Sequence, residues 1–179
     1  MKVLVAYASK YGSTKGIADF IGEKLRQEGA EADVQEVGAV RKIADYDAFV
    51  IGSAVYMFHW LKEARQFVSK NSALLANHPV WLFSSGPVGT QSKDAKGRDV
   101  LEVSGPEELD ELRALVKPRG HRVFFGALDG SRLTGIMGLG YRMARRSKSA
   151  RDEMPEGDFR DWKDIEAWTA LIAQELKAP

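Results

Sequence analysis

The chain has 179 residues, with 26 lysines and arginines against 25 aspartates and glutamates and a formal net charge of +1. This length suits one α/β domain with a substantial core, so we expect a single domain over residues 1–179. Since no cysteine is present, disulfides, thiolate metal sites and cysteine nucleophiles are excluded. The near-neutral charge gives no general attraction to nucleic acid, and no apolar run approaches the ~20 residues that span a bilayer. No secretory signal precedes the first apolar run, so we expect a cytoplasmic protein, with contact to the inner face of a membrane left open.

The first predicted element is a buried strand over residues 3–8, which are apolar without interruption. Such a run favours a central parallel strand that is covered on both faces. A short polar turn follows, and apolar residues then take helical spacing over residues 16–25. The first amides of a helix lack internal partners and carry partial positive charge, so the turn predicts an anion site, with a plain polar turn as the alternative. This anion turn consists of Ser9, Lys10, Tyr11, Gly12, Ser13 and Thr14.

The remaining chain alternates between predicted strands and predicted helices. The strands cover residues 32–37, 48–53, 80–85 and 121–127, and the second and third of these are continuous apolar runs. The helices cover residues 61–68, 109–116 and 165–176, and Ser104 with Glu107 predicts a capping box before the second of them. This alternation implies an α/β fold, a doubly wound sheet of five parallel strands in the order 2-1-3-4-5 with helices on both faces.

In such a sheet a ligand lies outside the carboxyl ends of the strands where the strand order reverses, here between the first and third strands. The connection after the third strand concentrates three aromatic rings and a histidine, and we expect it to be exposed and to stack on a planar ring. Its candidate contacts are Ala54, Val55, Tyr56, Phe58, His59 and Trp60. The alternative is that Phe58 or Trp60 packs the next helix onto the sheet.

The anion turn contains neither of the two commonest phosphate-binding patterns, GxxxxGK[ST] and GxGxxG. It resembles the phosphate loop of the flavodoxins, which holds the phosphate of FMN, although Tyr11 stands where many flavodoxins have a hydroxyl residue. Most of the chain is similar to the flavodoxin-domain family, and in particular to its branch of menaquinone-dependent protoporphyrinogen oxidases. The matching segments are VLVAYASKYGSTKGIA, IGSAVYMFHWLKEARQFV, the strand end Phe83-Ser84-Ser85, and the tail from Gly126 through Trp162. The resemblance implies a flavodoxin-like fold with bound FMN, and a deazaflavin is an open alternative.

A third loop follows the fourth predicted strand and is small, polar and rich in glycine. Irregular loops of this kind leave backbone N–H and C=O groups for a ligand, and these groups match the polar edge of a flavin. An ordinary turn is the alternative. This Gly-rich loop consists of Ser84, Ser85, Gly86, Pro87, Val88 and Gly89.

Residues 128–160 form a basic insertion before the helix predicted at 165–176. A connection of this length favours a function of its own. The protoporphyrinogen oxidases also have a basic and apolar insertion in this region. The resemblance therefore implies that Arg142, Arg145 and Arg146 form a surface for an anionic porphyrin, a partner protein or an anionic membrane. The alternative is a solvated basic helix that is paired with nearby acids.

Two classes of function fit these observations. The resemblance implies an FMN-dependent oxidoreductase of the protoporphyrinogen IX dehydrogenase type with a quinone acceptor, in which the flavin carries the chemistry and no side chain is catalytic. The alternative is a flavodoxin that carries electrons to redox partner proteins, but such carriers are usually strongly acidic and this chain is not. No metal site is expected, because His59, His78 and His121 are widely spaced.

Overall fold

The structure is a computed structural model that describes residues 1–148 and 155–178. The strands, in chain order, are β1 (Lys2–Ala8), β2 (Glu31–Glu36), β3 (Ala48–Tyr56), β4 (His59–Trp60), β5 (Val80–Ser85), β6 (Gly120–Phe124), β7 (Ala127–Leu128) and β8 (Gly157–Asp158). The helices are α1 (Ser13–Gln27), α2 (Lys62–Lys70), α3 (Ser72–Leu75), α4 (Val100–Val103), α5 (Leu109–Val116), α6 (Gly135–Ala144) and α7 (Trp162–Lys177). Short 3-10 turns lie at Ile43–Asp45 and Gly130–Arg132.

Five parallel strands form the sheet in the order β2-β1-β3-β5-β6. The predicted α/β fold and its strand order 2-1-3-4-5 are therefore confirmed. β1 lies inside the sheet, where Val5 is paired with Val34 of β2 and with Val50 of β3. The two-residue strand β4 folds back antiparallel on the end of β3.

The alternating side chains of β1 divide the core into two layers. Val3, Val5 and Tyr7 pack on one face with the buried sides of α1 and α7. Leu4 and the two alanines of β1 pack on the other face with α2, α3 and α5. Because both faces of the strand are covered, a continuous apolar run is what the sequence requires there.

Two local predictions differ from the structure. The strand predicted over 121–127 ends at Phe124, and residues 127–128 pair antiparallel with residues 157–158 as a separate ribbon. This ribbon closes the base of the insertion. The predicted capping box is wrong, because Ser104 follows α4 and the N-cap of α5 is Glu108.

The first helix also begins earlier than predicted. α1 starts at Ser13, with Gly12 as its N-cap, whereas the apolar spacing becomes regular only from Gly16. The helix start therefore lies inside the anion turn.

Gly52 in β3 is required by the packing of its neighbour. It is paired with Phe83 of β5, and a Cβ atom at position 52 would lie 2.0 Å from the ring atom Cζ of Phe83. We expect Gly52→Ala to lower the free energy of unfolding by about 1–3 kcal/mol, the usual cost of overpacking a core. Urea denaturation followed by circular dichroism measures this change.

Gly38→Ala is the matched control, because a Cβ atom at Gly38 meets nothing within 4 Å. Equal stability of the two variants would contradict tight packing of the Phe83 ring on β3.

Candidate cofactor site at the carboxyl edge of the sheet

Three loops meet at one edge of the sheet because β1, β3 and β5 are adjacent and parallel. Ala8 is paired with Ser53, and Ala54 is paired with Ser85, so the strands end side by side. The anion turn, the hairpin that joins β3 to β4 and the Gly-rich loop follow these three ends. The edge is the place where ligands bind in open α/β sheets.

The anion turn presents the start of α1 towards this edge. Gly12 has a φ angle of 92°, a left-handed conformation that glycine adopts without a steric penalty. Its amide donates to Ser9 Oγ at 3.1 Å. The first helical bond runs from the Gly16 amide to the Gly12 carbonyl at 3.0 Å. The amides that precede Gly16 in the helix therefore lack helical acceptors and are suited to an anion.

Thr14 carries the clearest sign of a ligand-binding site. Its side chain is fully buried, and among the described residues its Oγ1 atom has no hydrogen-bond partner. An unpaired buried hydroxyl costs roughly 1–3 kcal/mol, so native proteins rarely leave one without a ligand or water. The neighbouring Ser13 is engaged instead, because its Oγ accepts from the Ala127 amide at 2.9 Å and lies 3.3 Å from Ser85 Oγ.

The hairpin after β3, residues 56–59, has a strained turn. Met57 and Phe58 have φ angles of 50° and 65°, in the left-handed region that two-residue hairpins usually fill with asparagine and glycine. Both side chains project outwards, with 90% of Met57 and 56% of Phe58 exposed. A strained backbone that exposes apolar side chains at the carboxyl edge of the sheet indicates a functional surface.

Trp60 departs from the expected exposed aromatic cluster. It is only 1% exposed and packs among the core residues beneath α2. Its Nε1 donates to the buried Ser84 Oγ at 2.8 Å. The expectation of exposure is therefore wrong for Trp60, for which the packing alternative holds. The cofactor contacts predicted for the exposed members of this loop stay predictions.

The hairpin is fixed from below by one carboxylate. Glu108 accepts from the Trp60 amide at 2.8 Å and lies 3.0 Å from His59 Nδ1. The Glu107 amide donates to the Phe58 carbonyl at 2.8 Å. The start of α5 therefore holds the strained turn in place.

Aromatic contact joins the hairpin to the anion turn. The rings of Tyr11 and Tyr56 lie 6.4 Å apart edge to face, and Lys10 Nζ lies 5.5 and 5.7 Å from their centroids. Partial burial of the hydroxyl raises the pKa of Tyr56 to about 12, and the charge interaction with the nearby Tyr11 is the second cause. The Tyr56 hydroxyl is therefore neutral at physiological pH.

The Gly-rich loop is tied to the neighbouring strand. The Gly86 amide donates to the Phe124 carbonyl at 3.1 Å, and the Pro87 carbonyl accepts from the Gly126 amide at 2.9 Å. Gly86, Pro87, Val88 and Gly89 are partly exposed, whereas Ser84 and Ser85 are buried. The structure thus brings the loop to the expected edge but places its two serines below the surface.

Two arginines that sequence reasoning missed lie beside the anion turn. Arg132 Nη1 donates to the Tyr11 carbonyl, and Arg160 Nη1 donates to the Ser13 carbonyl, both at 3.3 Å. Together with the turn and the β7–β8 ribbon they line a cavity of about 370 Å³. They are 121 and 147 residues from their partners in the chain, so no local pattern could reveal these contacts.

The insertion contains α6, and the antiparallel pairing of β7 with β8 brings its two ends together. Residues 149–154 of the predicted basic insertion lie outside the described residues. Arg142 lies in α6, and Arg145 and Arg146 follow it at the end of the helix. Arg145 donates to the Tyr141 hydroxyl at 3.1 Å and lies 3.5 Å from Glu156, so it has an acidic neighbour, and the role predicted for the three arginines stays a prediction.

Apolar side chains accompany these arginines on α6. Ile136, Leu139 and Met143 are exposed, Ile136 by 90%. Within residues 1–148 and 155–178, no helix is long and apolar enough to cross a membrane. Among the same residues no group of three or more potential metal ligands is found.

A family model described as a flavodoxin domain matches residues 4–147. The chain belongs to the flavodoxin domain family. The predicted flavodoxin-like resemblance is thereby confirmed, and flavin binding, typically of FMN, is the general property of this family.

Individual relatives of this flavodoxin domain differ in what they support. A protoporphyrinogen IX dehydrogenase (quinone) of Escherichia coli is 29% identical over 86 residues, which are 47% of this chain and 48% of that protein. The chain thus spans about half the length of this relative.

A mutant flavodoxin from Pseudomonas aeruginosa is 18% identical, with a TM-score of 0.61 and coverage of 99% of this chain and 100% of that one. Flavodoxin 1 from Bacillus cereus is 14% identical, with a TM-score of 0.60 and the same coverage. These two structures support the fold alone.

A buried polar chain lies below the site. Ser84 Oγ accepts from Trp60 Nε1 and lies 2.9 Å from His121 Nε2, to which it can then donate its own proton. This arrangement favours a neutral imidazole. Burial, with the positive charge of Arg113 as a second cause, lowers the pKa of His121 from 6.5 to about 4.

The depressed pKa of His121 makes stability depend on pH in a defined window. Between pH 6.5 and about 4 the unfolded chain protonates this imidazole and the folded chain does not, so this contribution to stability is present above pH 6.5 and is lost as the pH falls. We expect His121→Gln, which keeps an acceptor for Ser84, to flatten the fall in the unfolding free energy over this range. Urea titrations of both proteins at pH 7 and pH 4.5 measure the difference, and parallel pH dependences would contradict it.

Proposed function

We propose that this protein is an FMN-dependent oxidoreductase that dehydrogenates a porphyrinogen and passes the electrons to a quinone. The observation that carries the cofactor assignment is the buried Thr14 hydroxyl at the start of α1 of a flavodoxin domain, which has no hydrogen-bond partner within residues 1–148 and 155–178. A phosphate group supplies the acceptor that this hydroxyl and the first amides of the helix need.

The residues present fit FMN at the ends of the three strands. The anion turn would hold the phosphate through Thr14 and its backbone amides. The exposed side chains of Tyr56 and Phe58 would contact the ring, and the backbone of the Gly-rich loop would bind its polar edge. Trp60 and Ser84 would act from below, by fixing the hairpin against β5. When bound, the flavin supplies the ability to accept and release electrons.

The porphyrinogen and quinone assignment rests on the relative of that name and on α6. The arginines in and directly after α6 (Arg142, Arg145 and Arg146) suit an anionic substrate. The exposed Ile136, Leu139 and Met143 of α6 suit an apolar quinone-bearing surface. We place the protein in the cytoplasm, in peripheral contact with the inner face of a membrane.

An electron carrier is the second candidate, because the hairpin presents Met57 and Phe58 to solvent. Exposed apolar residues next to a redox centre are suited to dock a redox partner protein, with no small-molecule substrate. The net charge of +1 argues against steering of the kind that acidic carriers use.

The cofactor assignment is tested by FMN binding to the wild type and to Thr14→Val. We expect the wild type to bind FMN with a yellow spectrum, and the variant to bind FMN about tenfold or more weakly, because a hydrogen bond to a charged group is worth roughly 1.5–3 kcal/mol. Flavin fluorescence titration gives both dissociation constants.

Riboflavin and the cofactor-free protein supply the controls for this variant. Riboflavin lacks the phosphate and should bind both proteins alike. The cofactor-free variant should be at least as stable as the wild type, because valine replaces a buried hydroxyl that the described part of the chain leaves without a hydrogen-bond partner. Equal loss for both ligands would contradict phosphate binding by Thr14, and wild-type protein that binds no FMN would remove the proposed function.

The role of the insertion is tested by neutralising its three arginines. We expect Arg142→Gln, Arg145→Gln and Arg146→Gln together to lower porphyrinogen turnover with a quinone acceptor roughly tenfold at low ionic strength, because attraction of an anionic substrate is lost. Addition of salt should shrink the difference, since exposed charges are screened beyond ~8 Å at physiological ionic strength. FMN content should not change.

The control is a second triple variant in which Lys62, Lys70 and Lys117 are replaced by glutamine. Like the first triple variant it removes three positive charges, but from outside the insertion. Electron transfer to a soluble haem protein is measured in parallel. Transfer without any porphyrinogen turnover would support the carrier, and equal turnover of both triple variants would contradict a substrate role for the insertion.

A further inference from the structure

The two arginines beside the anion turn bind its carbonyl groups. Arg132 Nη1 lies 3.3 Å from the Tyr11 carbonyl oxygen, and Arg160 Nη1 lies 3.3 Å from the Ser13 carbonyl oxygen. Both guanidinium groups are in close contact with the turn. A Cβ atom on Gly12 would lie 2.7 Å from Arg132 Nη1, and one on Gly16 would lie 2.3 Å from Arg160 Nη1.

Binding of these carbonyls fixes the direction of the amides that an anion needs. The peptide group is planar and trans, so its C=O and N–H point in opposite directions. The Ser13 carbonyl shares its peptide group with the Thr14 amide, so an arginine that holds this carbonyl from one side turns the Thr14 N–H towards the other side. The Tyr11 carbonyl shares its peptide group with the Gly12 amide, which donates to Ser9 Oγ. Arg132 therefore fixes the bend of the turn from which the free amides at the start of α1 follow.

The charges of the two arginines are largely shared with carboxylates. Arg132 Nε lies 3.3 Å from Asp129, three residues earlier in the chain. Arg160 donates to both carboxylate oxygens of Asp158, at 2.7 and 2.6 Å, and its guanidinium lies 4.4 Å from the Trp162 ring centroid. Because each positive charge already has a close negative partner, orientation of the turn is a stronger role for these groups than long-range attraction of an anion.

We propose that Arg132 and Arg160 are positioning residues of the phosphate site, which hold the carbonyls of the anion turn so that its amides are preorganised for the phosphate of FMN. Arg132 follows β7 near the start of the insertion, and Arg160 follows β8 at its end. The insertion thereby supports the cofactor site from outside. This inference rests on the proposed FMN function and adds two residues that approach the turn from another part of the chain.

Arg132→Gln is the main test, because 62% of this side chain is exposed and its loss should not disturb the core. We expect the variant to bind FMN roughly fivefold to tenfold more weakly and riboflavin as tightly as the wild type. Arg113→Gln is the matched control, since Arg113 is also exposed and also pairs with an aspartate three residues earlier, Asp110, but lies on α5. It should leave both affinities unchanged.

Salt separates orientation from simple attraction. At about 1 M salt the screening length falls to ~3 Å, so a Coulombic contribution to FMN binding would disappear. The proposal expects the loss of affinity in Arg132→Gln to persist at this salt concentration. A loss that vanishes there, or equal FMN affinities of Arg132→Gln and Arg113→Gln, would overturn it.

Arg160→Lys is the second variant, because Arg160 is only 16% exposed and a larger change could disturb folding. Lysine keeps the charge but not the planar fork that binds Asp158 and Ser13 together. With an unchanged circular dichroism spectrum and Tm, we expect the same selective loss of FMN over riboflavin, and an unchanged ratio of the two affinities would overturn the role of Arg160. Wild-type protein that binds neither flavin would remove the proposed function as well, whereas normal wild-type binding with unaffected variants would overturn this inference alone.

Discussion

Hydrogen bonding of β1 on both of its edges is the constraint on which the rest of the structure depends. The strand is held between β2 and β3, and its side chains are buried in both core layers. The backbone that leaves its carboxyl end therefore has a fixed starting point. Gly12 turns that backbone within a few residues into the start of α1, where unpaired amides and the Thr14 hydroxyl meet. The precision of the proposed phosphate site comes from this rigid strand.

The supports of the site are mostly polar groups from distant parts of the chain. Ser13 is bonded to the first residue of the β7–β8 ribbon, Glu108 supports the strained hairpin, and Ser84 connects Trp60 to His121. Each group satisfies backbone or ring donors that burial would otherwise leave unpaired. The loops are thus held in definite positions although they lie at the protein surface.

Patterns that depend on neighbouring residues were sufficient for much of the fold. Continuous apolar runs predict the buried strands, and the alternation with helices predicts the strand order, because few topologies bury such strands on both faces. The anion turn was visible because its glycine and hydroxyls are adjacent in the sequence.

Features that depend on tertiary contacts were missed. Trp60 lies in a loop with exposed aromatic residues, and only the antiparallel pairing of β4 directs its ring into the core. Ser104 and Glu107 have the spacing of a capping box, but α5 begins at Leu109. Arg132 and Arg160 reach the anion turn across more than a hundred residues of intervening chain. The sequence contains these residues, but no periodicity identifies their partners.

The packing of α7 on α1 has a consequence for the order of events during synthesis. Trp162 packs on Phe20, with ring centroids 5.1 Å apart, and Glu166 lies 2.7 Å from Lys24. The helix that bears the anion turn therefore leaves the ribosome well before the helix that covers it. At ~5–20 residues per second, roughly seven to thirty seconds separate the two. During that interval the part of α1 around Phe20 and Lys24 lacks the helix that finally covers it, so this surface of the nascent chain is exposed to chaperones and to aggregation.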